Sequence, residues 1–221
     1  MPTKKKRTGF QVTLPSKRNI ALFTSKDHEA WAKSLEQGAA KEDKGVIIST
    51  FYVTSVPNLT TQLKQIVANR TGEKGGKRAK HASSISPTSA CVEKTFRCIV
   101  FAPTHGCQSM NMCVWSPSSK PHSLTSILQY VVQHNLTDHI HLPYCYSGDY
   151  IEEYMTSFPL HVLPDAISGY VGSIPMTPSD TKSANEFQAL SDYISSGCHL
   201  VAFKPKSHVQ FRILRQSDVT A

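Results

Sequence analysis

Three groups of side chains in this sequence could do chemistry. Asp138-His139-Ile140-His141-Leu142 sets two imidazoles two residues apart, so a strand would turn both to one face. There they could hold a divalent metal. Tyr150 and Tyr154 stand four apart in Tyr150-Ile151-Glu152-Glu153-Tyr154, on one face if that stretch is helical. The cysteines form the third group. Cys91, Cys98, Cys107 and Cys113 are separated by six, eight and five residues, wider than the gaps of about two to four that structural zinc sites favour. His139, His141 and Cys145 could supply three ligands of types that zinc accepts. In His105-Gly106-Cys107 an imidazole and a thiol lie too close along the chain to face each other as base and nucleophile. Asp149, Glu152, Glu153 and Asp165 lack the ordered spacing of a calcium loop and read as a solvated acidic surface. Neither a phosphate-cradling glycine loop nor a dinucleotide fingerprint occurs.

The elements that would carry these residues can be read in part. Ser25 can cap a helix with Asp27 and Glu29 in its first turn, Trp31 and Leu35 on one face and Gly38 at its end. Residues 45–54 are β-branched and aromatic and read as the clearest strand, buried on both faces at its start. Pro57-Asn58 lead into a helix with Leu59, Leu63, Ile66 and Val67 on one side. Residues 95–101 and 110–115 read as strands, and Leu124, Ile127, Leu128, Val131 and Val132 as a helix face. Residues 137–180 alternate short apolar pieces with proline and glycine. Ser183 and Glu186 resemble a capping box opening a helix that Gly197 can stop. Residues 198–203 and 208–214 read as a hairpin. Together these give an α+β or mainly β class, a single compact domain over residues 20–221, with a β-sandwich or jelly roll with short helices as one form of it. Phe51, Val53 and Phe101 are the expected central packing residues.

Charge is distributed unevenly. Residues 1–81 hold 16 Lys/Arg against 6 Asp/Glu, and residues 82–221 hold 8 against 10. Lys4, Lys5, Lys6, Arg7, Lys17 and Arg18 mark residues 1–19 as a flexible basic arm, broken by Gly9 and Pro15. Arg70, Lys74, Lys77, Arg78 and Lys80 fall in a Gly- and Ser-rich loop at about residues 69–90. Closely spaced cations on such backbone can track phosphates and release counterions. With no base-reading signature in view, RNA or DNA would be bound without sequence preference. Pro2-Thr3-Lys4-Lys5-Lys6-Arg7 also resembles a nuclear import signal. The chain has no apolar run long enough to span a membrane and no signal-peptide core. Its six cysteines therefore read as reduced thiols of an intracellular protein.

Two resemblances follow. The basic arm before a Ser-, Thr- and Pro-rich domain resembles the general plan of small icosahedral viral coat proteins. This implies a non-enzymatic packaging role, self-association and a place in the virion or host nucleus, with no cofactor. His139-Ile140-His141 with Tyr150 and Tyr154 resembles the His-hydrophobe-His and Tyr-x3-Tyr elements of rolling-circle replication endonucleases. It implies a divalent metal on His139 and His141 and a nucleophile at Tyr150 or Tyr154. A nuclear accessory protein that binds nucleic acid or a host partner is the third expectation.

Overall fold

A computed structural model describes residues 18–41, 45–71, 94–108, 110–158, 164–174, 188, 191–194 and 210–216. The basic residues from Lys4 to Lys17 and from Lys74 to Lys80, the start of the helix expected from Ser183, and the hairpin strand at 198–203 lie outside them.

Besides helical residues at 188 and 191–194, eight strands and four α-helices are bounded along the described chain. They are β1 (Arg18–Thr24), α1 (Glu29–Lys41), β2 (Val46–Tyr52), α2 (Val56–Thr71), β3 (Phe96–Ala102), β4 (His105–Gly106), β5 (Cys113–Val114), α3 (Thr125–Gln133), β6 (Thr137–Leu142), α4 (Ile151–Thr156), β7 (Ala166–Val171) and β8 (Gln210–Arg215). Six of the strands form one sheet in the order β2-β1-β3-β6-β7-β8. The first five are mutually parallel and β8 runs antiparallel to β7. β4 and β5 make a separate antiparallel ribbon.

This corrects the jelly-roll expectation. A jelly roll is built from antiparallel strands in two packed sheets, whereas here helices link parallel neighbours of one sheet. The α/β content is mixed, with both faces of the sheet covered, as parallel sheets require. On one face Leu59 and Leu63 of α2, and Ile127, Leu128 and Val131 of α3, pack on Ala21, Phe23, Ile99, Phe101, Ile140 and Ile167. On the other, Trp31, Ala32, Leu35 and Ala39 of α1 pack on Ile20, Leu22, Cys98 and Val100, with Tyr193 and Ile194 alongside. Strand alternation thus sends consecutive residues of β1, β3 and β6 into two cores. Phe101 and Val53 are buried and Phe51 half-buried, with the Phe23 ring stacked between Phe51 at 4.8 Å and Phe101 at 5.3 Å.

Local signals placed most ends. Ser25 accepts the Asp27 N–H at 3.1 Å and opens a 3-10 turn (Lys26–His28) that runs into α1. That helix passes through Gly38 and ends at Lys41, because Leu35 and Ala39 continue its buried face. Arg18 and Asn19, read above as the end of the arm, are the first residues of β1 and pair with Val46 and Ile47. Arg70, in the last turn of α2, donates to the carbonyls of His134 and Asn135 at 3.0 and 3.1 Å. Its guanidinium ties that helix end to the turn before β6. Among the described residues no helix is long and apolar enough to cross a membrane.

Candidate functional site

The chain order of the sheet reverses beside β1. The crossover from β1 to β2 leads outward on the α1 face, and the one from β2 to β3 returns on the opposite face. In doubly wound sheets the crevice outside the carboxyl ends of the strands at such a reversal is where ligands bind. A cavity of about 290 Å³ lies there. Its wall is drawn from four strand ends: His28 after β1, Pro103, Thr104 and His105 after β3, Tyr144 and Cys145 after β6, and Ile174 after β7. Half-buried Cys145 and exposed His105, far apart in sequence, line one space.

The backbone around Cys145 is built to present it. The next residue, Tyr146, adopts the left-handed conformation with φ +63°, which costs a bulky side chain about 1–3 kcal/mol. The turn is clamped from three directions. The Tyr146 N–H donates to the Gly172 carbonyl at 2.7 Å. The Ser147 hydroxyl donates to the Leu142 carbonyl at 2.6 Å and accepts the Tyr170 N–H at 3.0 Å. Gly148 and Gly169 lie so close that a Cβ on Gly169 would sit 2.7 Å from Ser147 Oγ. Cys145 Sγ itself accepts the Ile174 N–H at 3.3 Å, and its thiol points at the Ile174 carbonyl 3.6 Å away.

His105 is held on the β4–β5 ribbon, which is pinned to the protein on both sides. The Thr104 N–H and hydroxyl donate to the carbonyls of Val114 and Trp115 at 2.8 and 3.0 Å, and Trp115 is fully buried. The hydroxyl of Tyr150, the N-cap residue of α4, donates to the Gln108 carbonyl at 2.7 Å, and Glu153 of α4 accepts from Asn111 at 2.9 Å. Gly106 lets the ribbon touch the Cys145 turn. A Cβ there would stand 2.0 Å from the Cys145 carbonyl oxygen and 2.7 Å from the Tyr144 ring. His28 is near enough to His105 for their charges to oppose. Its proton affinity is lowered chiefly by burial, raised by Asp27 and lowered again by His105.

His139 and His141 share a face of β6, as their spacing predicts, but that face is closed. His139 is 5% exposed and His141 0%. Both imidazoles converge on one hydroxyl: His139 Nε2 lies 2.6 Å and His141 Nδ1 2.8 Å from Ser168 Oγ. Ser168 has one hydrogen to give, so it donates to one ring and accepts from the other. Tyr193 and Tyr170 enclose the pair, their ring centres 4.8 and 5.7 Å from that of His141. Burial drives the pKa of His141 well below the ordinary histidine value, helped by His139, and keeps the ring neutral. Tyr150 and Tyr154 belong to the core on the other face of the sheet, with Ile140 and Leu142. The sheet therefore stands between the two histidines and the two tyrosines. Tyr154 is buried against Tyr144, their hydroxyls 3.2 Å apart, and burial pushes its phenol above its ordinary range.

The other cysteine readings separate in the same way. Cys98 and Cys113 are buried, and burial raises the Cys113 thiol far above its usual range. Cys145 looks into the cavity while His139 and His141 bond to Ser168. Among the described residues no group of three or more His, Cys, Asp and Glu side chains is placed to hold a metal. Cys145 thus lies apart from the histidine pair that its sequence position suggests, and shares a cavity wall with His105 instead. The signal that joins them is topological: in a parallel sheet, the residues that follow neighbouring strands meet at one edge. No protein-family model matches this chain, and no curated protein sequence matches it.

Proposed function

We propose that the chain is a cysteine-nucleophile acyl-transfer enzyme, with Cys145 as nucleophile and His105 as general base. The observation that carries this is the shared cavity at the carboxyl edge, whose wall includes both residues and which is backed by the left-handed backbone at Tyr146. The thiolate is the reactive form of cysteine, and a neighbouring imidazole that takes its proton creates it. Cys145 Sγ attacks an ester or amide carbonyl and the leaving group departs with the proton held by His105, leaving a thioester. Water, deprotonated by His105, then attacks the thioester carbonyl, releasing the acid and restoring the thiol. The test is a stopped-flow assay with p-nitrophenyl acetate. A burst of p-nitrophenolate, with an acetyl group found on the Cys145 peptide and absent in Cys145→Ala, is the expected result. Acetylation elsewhere with Cys145 unmodified would contradict it.

A second reading is favoured by the charge distribution: polyanion binding through the basic segments, in packaging or in a nuclear accessory role. Arg18 opens β1, and Arg70 closes α2 beside Thr95, which precedes β3. Both basic segments thus join the sheet at its amino edge, opposite the cavity. Binding to a single-stranded oligonucleotide should weaken steeply with salt. An affinity insensitive to salt would remove this reading. The metal-dependent endonuclease reading draws no such support, since its histidines and tyrosines lie on opposite faces of the sheet.

A further inference from the structure

The end of β1 contributes to the cavity a side chain that acyl transfer does not use. His28 is half-buried, and its hydrogen bonding favours one tautomer. Thr24 Oγ1 lies 3.4 Å from His28 Nδ1, while the Thr24 hydroxyl donates to the Ala102 carbonyl at 3.1 Å. A hydroxyl has a single hydrogen, so toward His28 it offers only lone pairs and Nδ1 supplies the hydrogen of that contact. In the neutral ring Nε2 is then an acceptor, on the ring edge turned away from Thr24. Burial, the largest influence, lowers the ring's proton affinity, and a proton on His105 would lower it further, against the opposing pull of Asp27. None of the described lining residues is Lys, Arg, Asp or Glu, and the rest of the wall is Pro103, Thr104, Tyr144 and Ile174 beside the reacting pair.

Resting on the acyl-transfer reading of the cavity, we propose that His28 determines its specificity, with Nε2 accepting a hydrogen bond from an uncharged donor on the acyl side of the substrate. A carboxamide side chain, Asn or Gln, is the class that fits. It offers an N–H without bringing a charge, and a cavity of about 290 Å³ is at the small end of ligand sites, suited to one side chain. The isosteric carboxylate presents only lone pairs to Nε2. It could be held only by protonating His28 beside His105, which itself becomes cationic during acyl transfer. An ammonium would enter without an anionic partner among the described lining residues. An isobutyl group fills space and leaves Nε2 without a donor.

The test uses three dipeptide nitriles that differ only in carrying an Asn, Asp or Leu side chain. The Cys145 thiolate adds to the nitrile carbon and the proton from His105 goes to its nitrogen, giving a reversible thioimidate with no leaving group. The readout is protection of Cys145 from iodoacetamide at neutral pH, followed by mass spectrometry. The Asn nitrile should protect at about tenfold lower concentration than the other two. That preference should vanish in His28→Leu and persist in part in His28→Gln, whose amide oxygen also accepts. Equal protection by all three, a preference for Asp or Leu, or an Asn preference that survives His28→Leu would overturn the assignment of His28 and leave the thiol chemistry standing. No protection by any nitrile would contradict the acyl-transfer reading and the specificity proposal with it.

Discussion

Two residues, Gly106 and His141, carry consequences that can be measured directly. Gly106 is where the ribbon bearing His105 touches the Cys145 turn, and a Cβ would fall 2.0 Å from a backbone oxygen that cannot swing away. Gly106→Ala should therefore cost about 1–3 kcal/mol as the two segments part, and acyl transfer should fall by more than the lost folded fraction explains. Urea unfolding and the p-nitrophenyl acetate burst, measured on one preparation, check both. Unchanged values would mean that the close approach is unimportant. His141 gives a pH dependence. Its folded-state pKa is depressed by burial, so as pH falls below about 6.5 the unfolded chain takes up a proton that the folded chain refuses. Stability should be level above that pH and decline below it, by at most about 1.4 kcal/mol per pH unit for one such group. Equilibrium unfolding from pH 7.5 down to pH 5.5 measures it, and a level profile would show that the His139–Ser168–His141 cluster opens to solvent.

At the scale of elements, helix positions were legible because periodicity and caps are local. Leu59, Leu63, Leu128 and Val131 lie on buried faces where their spacing puts them, and Ser25 caps as its type predicts. Phe101 was readable as core for the same reason. It is fully buried against Phe23, so Phe101→Ala should cost about 3–5 kcal/mol in urea unfolding, and a loss near zero would contradict the burial. Strand direction was not legible. A strand of apolar residues looks the same whether its neighbour is parallel or antiparallel. The alternation of strand and helix that implies parallel pairing is interrupted between α2 and β3 by residues 72–93, rich in Gly, Ser and basic residues. That stretch reads as an inserted loop and hides the alternation. Once direction was misjudged, the site was lost too, because His105 and Cys145 are neighbours only if β3 and β6 run the same way and pair directly, as they do. His139-Ile140-His141 drew attention by spacing alone. Spacing established a shared face but carried no information on whether that face meets solvent or Ser168.

For the molecule as a whole, the two proposed functions fall on opposite edges of the sheet. The amino edge receives both basic segments through Arg18 and Arg70. The carboxyl edge holds the cavity with Cys145 and His105. Deleting residues 1–17, which stops short of β1, should leave the thermal midpoint nearly unchanged while weakening oligonucleotide binding and flattening its salt dependence. A large fall in the midpoint would show that this segment packs on the fold. The central claim, that strand ends distant in sequence build one reactive thiol, is tested most directly by the rate at which iodoacetamide alkylates Cys145 at neutral pH, read peptide by peptide in the native protein and in His105→Ala. His105 is exposed, so its replacement leaves the cores intact. The account predicts a fall in the Cys145 rate of at least about tenfold in the variant, and an equal rate in the two proteins would contradict it.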